Sequence, residues 1–278
     1  MTASSSGEHY LPSTPAAAVV ENGGAHAADP GNAFGVRGAL DVDGVPFHRL
    51  SVVVPMYNEI ENAVPLLDEV QAALASYPFP WELLVVDDGS RDATAEVAAA
   101  AGARVLRHER NRGKGAAVKT GVLACAGERV LVSDADFSTP IEEIEKLEVR
   151  LRDADLVLGS RALADSVITE RQPIYRELMG KTFNLLIRCL GVRGFHDTQC
   201  GFKLARGEAA RALCAELTVA GFAYDVELIW LALARGRRVA EVGVVWANSP
   251  DSRVDPVRSS LGMIRDVLLM RWRHRGGR

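Results

Sequence analysis

The chain has 278 residues, 48% of them hydrophobic and 24% charged, with a formal net charge of −4. This is enough for one large α/β domain or two small ones around a sizeable core, and the composition excludes a disordered or fibrous protein. The weakly negative balance gives no general case for a nucleic-acid partner.

Residues 1–48 are rich in Ala, Gly, Ser and Pro, with Arg37 alone against Glu8, Glu21, Asp29, Asp41 and Asp43. They read as a disordered tail. Order is expected from Arg49, with a strand Leu50–Val54 running into Pro55-Met56-Tyr57-Asn58-Glu59. A helix follows over Glu61–Ser76, with Val64, Leu67, Val70 and Leu74 on one face. The apolar strand Trp81–Val86 ends in Asp87-Asp88-Gly89-Ser90, after which Asp92 or Thr94 caps a helix. Beside the first strand tip, these carboxylates either accept hydrogen bonds from a nucleotide or form an Asx-turn.

Ala103–Leu106 reads as a third strand, and RNRGKG then opens a helix over Ala116–Ala126. The spacing is neither GxxxxGK[ST] nor GxGxxG. Its glycine amides with Arg110 and Lys114 either hold a phosphate or make a plain turn with solvated basic residues. Arg129–Ser133 is a strand leading to Asp134-Ala135-Asp136. An extended backbone points both aspartates to one side at the carboxyl edge of a sheet. Two carboxylates that close repel each other, and Mg2+ or Mn2+ relieves the repulsion while leaving positions for phosphate oxygens. The other reading is an Asp-rich turn before a helix over Ile141–Leu151.

Asp155–Leu158 is a further strand, and Gly159-Ser160-Arg161 follows it, an Arg placed to meet a phosphate with its two-pronged guanidinium. This alternation predicts an α/β domain with a mostly parallel, Rossmann-like sheet flanked by helices. From Leu163 the rhythm breaks. Arg171–Leu190 reads as a basic amphipathic helix, Gly194–Arg206 as a loop entering a short strand, and GFAYDVELIWLA as a loop becoming a helix to Ala234. An extended Arg238–Trp246 and a helix Val257–Trp272 end the pattern. The last 28 residues carry seven Arg against three Asp, so 247–278 reads as a C-terminal basic amphipathic helix and 49–246 as the main domain.

Cys125, Cys189, Cys200 and Cys214 show no CxxC spacing and read as reduced thiols of a cytosolic protein. No run of about 18 apolar residues exists, so no spanning helix is expected. The start, MTASSSGEHYLPSTP, lacks the pattern of a secretion signal. No His cluster has ligand spacing, and no GxSxG is present.

As an ordered set, PMYNE, DDGSRD, NRGKG, DADFSTP and GSR resemble the inverting family-2 glycosyltransferases of the GT-A fold. RELMGKTFNLLIRCLGVRGFHDTQCGFKLAR and GFAYDVELIWLA are similar to the polyprenyl-phosphate sugar synthases, most of all to their dolichyl-phosphate β-glucosyltransferase branch. The resemblance implies that Pro55, Tyr57, Glu59 and Asp87, with Asp88, Lys114 and Ala135 beside them, line the nucleotide-sugar pocket. It implies that Asp134 and Asp136 hold the donor and its Mg2+ or Mn2+, with Asp136 the principal ligand. Arg161 would hold phosphate; Asp197 and Gln199 would serve the sugar; Lys203, Asp225, Glu227 and Arg253 would serve the acceptor. Ser138 stands where some relatives have Gln, and Ala205 where many have an aromatic residue.

The implied activity is transfer of glucose or mannose from UDP-glucose or GDP-mannose to polyprenyl phosphate. The expected setting is peripheral, at the cytoplasmic face of a membrane, through the basic helices or a membrane-protein partner; a homodimer is possible but not required. Rival readings are a soluble small-molecule or glycan acceptor, or a nucleotide-sugar binding protein without turnover.

Overall fold

The computed structural model describes residues 20–22, 49–136, 138–170, 187, 192, 194–248 and 256–274. The expected tail lies outside these residues apart from 20–22. So do Phe137, Cys189, Arg253 and, apart from Ile187, the expected helix over Arg171–Leu190.

Strands alternate with helices as the sequence pattern requires. Val20–Asn22 (β1) is a strand within the expected disordered tail, and Leu50–Met56 (β2), Trp81–Asp87 (β3), Arg104–Arg107 (β4), Arg129–Val132 (β5) and Leu156–Ser160 (β6) are joined by Ile60–Ala73 (α1), Thr94–Ala100 (α2), Lys114–Ala124 (α3) and Ile144–Leu151 (α4). After β6 come Val167–Glu170 (β7), Lys203–Arg206 (β8), Gly207–Glu216 (α5), Tyr224–Ala234 (α6), Val239–Gly243 (β9), Val245–Ala247 (β10) and Pro256–Arg273 (α7). The main sheet has the order β1-β4-β3-β2-β5-β8-β6-β9, and β10 with β7 forms a separate parallel pair.

Both faces of the sheet are covered, and the side-chain period of two divides each strand between them. On β2 and β3, Val53, Leu84 and Val86 join Val118, Val122, Leu213, Leu231 and Val267 in one buried layer. Val52, Val54, Leu83 and Val85 join Leu67, Val70, Ala98 and Leu147 in the other. Each such side chain contributes about 1.5–3 kcal/mol on leaving water.

Two features of the topology place the site. β2 lies between β3 and β5, parallel to both, and the connections leaving the carboxyl ends of β2 and β5 run to opposite sides and open a crevice there. β8 is antiparallel to β5 and β6, with Lys203 opposite Val132 and Leu158. An antiparallel strand starts where its parallel neighbours end, so residues 197–203 are delivered to the same edge as Asp134 and Arg161.

Several boundaries differ from expectation. In α1 the buried positions are Ala63, Leu66, Leu67 and Val70, and Val64 is 44% exposed, because the apolar stripe follows 63-67-70 rather than 64-67-70. The helix expected over Ile141–Leu151 starts as a 3-10 turn at Ile141–Glu143. The extended Arg238–Trp246 is two strands, β9 and β10, in different sheets. Neither β7 nor α5 is expected from the pattern: β7 is exposed at all four positions and lacks alternation.

Candidate active site

The loops after β2 and β3 are laced together. Asn58 N donates to Ser90 Oγ at 2.8 Å, Arg91 N to Asn58 Oδ1 at 2.9 Å, and Glu59 N to Thr94 Oγ1 at 2.9 Å. Asn58 sits at φ 55°, a left-handed conformation that Asn tolerates better than most residues. Pro55, half-exposed Tyr57 and Glu59 therefore stand on a braced rim above the crevice. Asp87 is fully buried, accepts from Ser90 N at 3.0 Å through Oδ1, and turns Oδ2 toward Arg107 Nε at 3.1 Å.

Asp88 is buried and turned to protein partners. Its Oδ1 meets His108 Nδ1 at 2.7 Å and Arg112 N at 2.9 Å, and its Oδ2 accepts from Gly113 N at 2.7 Å. It ties down the RNRGKG loop, where the resemblance implies a place beside the nucleotide pocket. The same loop is not an open phosphate cradle. Gly113 has φ 102°, and a Cβ there would strike the Ala220 carbonyl, which also accepts from Ala116 N at 3.1 Å. The glycines serve close approach to the segment before α6, and the loop's ligand-facing charge is Lys114.

Lys114 Nζ stands 2.5 Å from Asp134 Oδ1. Burial pushes the Asp134 carboxyl up, but Lys114, Lys203 and Arg161 outweigh it and hold the group below its ordinary value. Asp136 is raised, by burial first and then by the Asp134 charge beside it. Its Oδ1 accepts from Ser138 N at 3.1 Å. The turn reading of the acidic pair is realised, since one Asp136 oxygen closes an Asx-turn, and the Asp134 charge stands beside the same carboxylate. Ala135, between them, is buried.

Arg161 meets Asp197 with the whole of one side of its guanidinium, Nε to Oδ2 at 2.6 Å and Nη2 to Oδ1 at 2.9 Å, and lies 5.4 Å over the Trp246 ring. Burial raises the Asp197 carboxyl, but the Arg161 charge and hydrogen bonds overcome this and lower it to about 2. The two-pronged face expected for phosphate is therefore occupied by Asp197. Asp197 N donates to Glu241 Oε1 at 2.7 Å, and Gln199 N to Asp197 Oδ1 at 3.0 Å. Gln199 Nε2 reaches Met263 Sδ on α7 at 3.1 Å.

Lys203 and Asp225 form a buried pair at 2.6 Å, their side chains 2% and 5% exposed. Lys203 also donates to the Cys200 carbonyl. Burial raises the Asp225 carboxyl in spite of Lys203 and Lys114. Glu227 is fully buried and accepts from Thr218 N at 2.9 Å, Thr218 Oγ1 at 2.7 Å and Val219 N at 2.7 Å, and it meets His274 Nε2 at 2.7 Å. It braces α6 against the end of α7, where the resemblance implies a role toward the acceptor. Arg253 lies outside the described residues.

The cluster that faces the crevice is thus Asp134, Asp136 and Lys114, with Lys203, Asp225, Arg161 and Asp197 around it. Sequence reasoning misses Glu241 and Trp246, which hold Asp197 and Arg161, and His108, which holds Asp88 behind the cluster; only pairing across the fold reveals them.

Residues 51–213 match the model of Glycosyl transferase family 2, more than half of the chain. The chain belongs to this family. The family-2 chain is 37% identical to the dolichyl-phosphate beta-glucosyltransferase of Mus musculus, covering 88% of this chain and 82% of that one. It is 38% identical to the protein of the same name from Drosophila melanogaster, covering 81% and 75%. Its fold is that of mannosyl-3-phosphoglycerate synthase from Rubrobacter xylanophilus, with a TM-score of 0.66 at 24% identity over 82% and 75% of the chains. It also matches the Mycobacterium tuberculosis glucosyl-3-phosphoglycerate synthase, solved with Mn2+, UDP and glucosyl-3-phosphoglycerate, with a TM-score of 0.64 at 22% identity over 81% and 80%. As a family-2 member the chain is a glycosyltransferase. Cys125, Cys200 and Cys214 are free, and no helix among the described residues is long and apolar enough to cross a membrane.

Proposed function

We propose that this glycosyltransferase moves a hexose, glucose on the strength of its relatives' names, from a nucleoside diphosphate sugar to polyprenyl phosphate. The similarity to proteins named dolichyl-phosphate beta-glucosyltransferase over more than four-fifths of the chain carries this reading.

The site's chemistry supports it. Among the described residues no group of three or more His, Cys, Asp or Glu is placed to hold a metal. Two carboxylates that repel each other, with no thiolate or imidazole beside them, nevertheless fit Mg2+ or Mn2+, which binds through one or two carboxylates while donor phosphates and water complete the shell. Asp134 and Asp136 would hold such an ion, which when bound neutralises charge developing on the leaving diphosphate. Lys114, released from Asp134, would add positive charge to the same oxygens. Pro55, Tyr57, Glu59 and Asp87 would seat the nucleoside on the braced rim. A lipid phosphate oxygen attacks the anomeric carbon as its bond to the diphosphate breaks, with inversion, so the nucleoside diphosphate leaves and a β-linked product forms. The acceptor is already ionised near pH 7, so no strong general base is needed. Positioning matters more, and the Arg161–Asp197 unit, Gln199 and the Lys203–Asp225 pair shape that side. Work at the cytoplasmic face of a membrane, through the basic α7 or a membrane-protein partner, belongs to the same reading.

The test is nucleotide release from UDP-glucose and from GDP-mannose, with Mg2+ or Mn2+, with and without a short polyprenyl phosphate. Release that requires the lipid phosphate is expected. Donor binding without lipid-stimulated release would overturn the acceptor and point to a soluble one.

A further inference from the structure

Gly201 lies in the segment that enters β8, at an ordinary backbone conformation that other residues adopt. Its missing side chain is nevertheless required by space. A Cβ built there would fall well inside 3.0 Å of Asp134 Cγ and of both Asp134 Oδ atoms, closer than real Cβ atoms come. No other atoms stand nearer to that point, so the carboxylate itself occupies the space a side chain would take. The segment is fixed on both sides. Asp197, four residues earlier, holds Arg161, while the Cys200 carbonyl accepts from buried Lys203 and Phe202 O accepts from Gly159 N at 2.8 Å. Backbone retreat would disturb β6 and β8 together. Lys114 Nζ holds the same carboxylate, at 2.5 Å from Oδ1.

We infer that Gly201 is a positioning residue for the reaction: it acts through Asp134, holding the carboxylate in place by leaving it room. This rests on the donor-site reading above. A methyl group at 201 would force the Asp134 carboxylate to move by roughly 1 Å, a misplacement that can cost about 100-fold.

The experiment measures binding of Mn2+ with UDP-glucose, and of Mn2+ with GDP-mannose, by titration calorimetry. It compares wild type, Gly201→Ala, Asp134→Ala and the double variant, with the thermal midpoint of each recorded. Gly201→Ala should weaken metal-dependent donor binding about 10–100-fold, as the loss of a group that orients a metal ligand does. In the Asp134→Ala background the same change should add less than about twofold, because near-complete non-additivity marks action through one residue. A residue with a purely structural role would lower binding equally in both backgrounds, and that result overturns the inference, as does binding by Gly201→Ala equal to wild type. Should Gly201→Ala not fold, recovery of folding in the double variant supports the inference and its failure overturns it. Wild type that binds neither donor with Mn2+ overturns the donor-site reading itself, and the inference with it.

Discussion

Lys203 and Asp225 illustrate how far burial changes what a charged pair does. Removing Asp225 leaves the Lys203 ammonium 2% exposed, with the Cys200 carbonyl and the more distant Asp134 charge as its support. Breaking a buried pair from one side typically costs about 3–5 kcal/mol, and the remaining support argues for the lower end. Asp225→Ala should therefore lose about 3 kcal/mol, lowering the thermal midpoint by roughly 6–12 °C for a domain of this size. Replacing both partners, Lys203→Met with Asp225→Leu, removes the stranded charge and should regain most of the loss. Urea denaturation followed by tryptophan fluorescence and far-UV circular dichroism, on all four members of the cycle, measures this. A single-variant loss below about 1 kcal/mol, or losses that simply add, would refute the reasoning. It would return Lys203 to the part the sequence suggests, an accessible group for the acceptor, whose removal raises the KM for lipid phosphate and leaves stability unchanged.

Other outcomes follow from the same geometry. Asp197, lowered from 3.8 to about 2, contributes about 2 kcal/mol of stability that is present above its unfolded value and lost as pH falls from about 4 to about 2. Asp197→Asn should flatten that acid limb in a pH series of denaturation curves. Asp88→Ala removes the acceptor of two backbone amides and the partner of His108, and should cost roughly 2–4 kcal/mol at about 1 kcal/mol or more per lost buried bond. Amide exchange at Arg112 and Gly113 should speed up in this variant. Asp136→Ala, or chelation of Mg2+ and Mn2+ from the wild type, should abolish lipid-dependent nucleotide release, a loss of about 100-fold or more for a group stabilising developing charge, while the folded state persists by circular dichroism.

Much of this protein is legible in its sequence because the information is local. The βαβ rhythm, the strands Leu50–Met56 and Trp81–Asp87, and the acidic pair after β5 follow from periodicity and from turn chemistry at strand ends. The crevice between β2 and β5 follows from the parallel sheet, since ligand sites gather at carboxyl edges. The allocation of carboxylates was not legible. Asp87 and Asp88 are neighbours of one residue type, yet one turns to Arg107 and the other holds His108 and two amides of the RNRGKG loop. Asp225 and Glu227 lie two residues apart on α6, yet one meets Lys203 beside the crevice and the other is enclosed by Thr218, Val219 and His274. Which oxygen finds which donor depends on groups 8 to 47 residues distant in the chain, brought together only when β8 reverses direction and α7 closes over α6. Composition and spacing determine that charges gather at this edge of the sheet. Tertiary packing decides which of them are consumed in holding the site together and which are left to meet a substrate, because a buried polar group must be satisfied by whatever the fold places beside it.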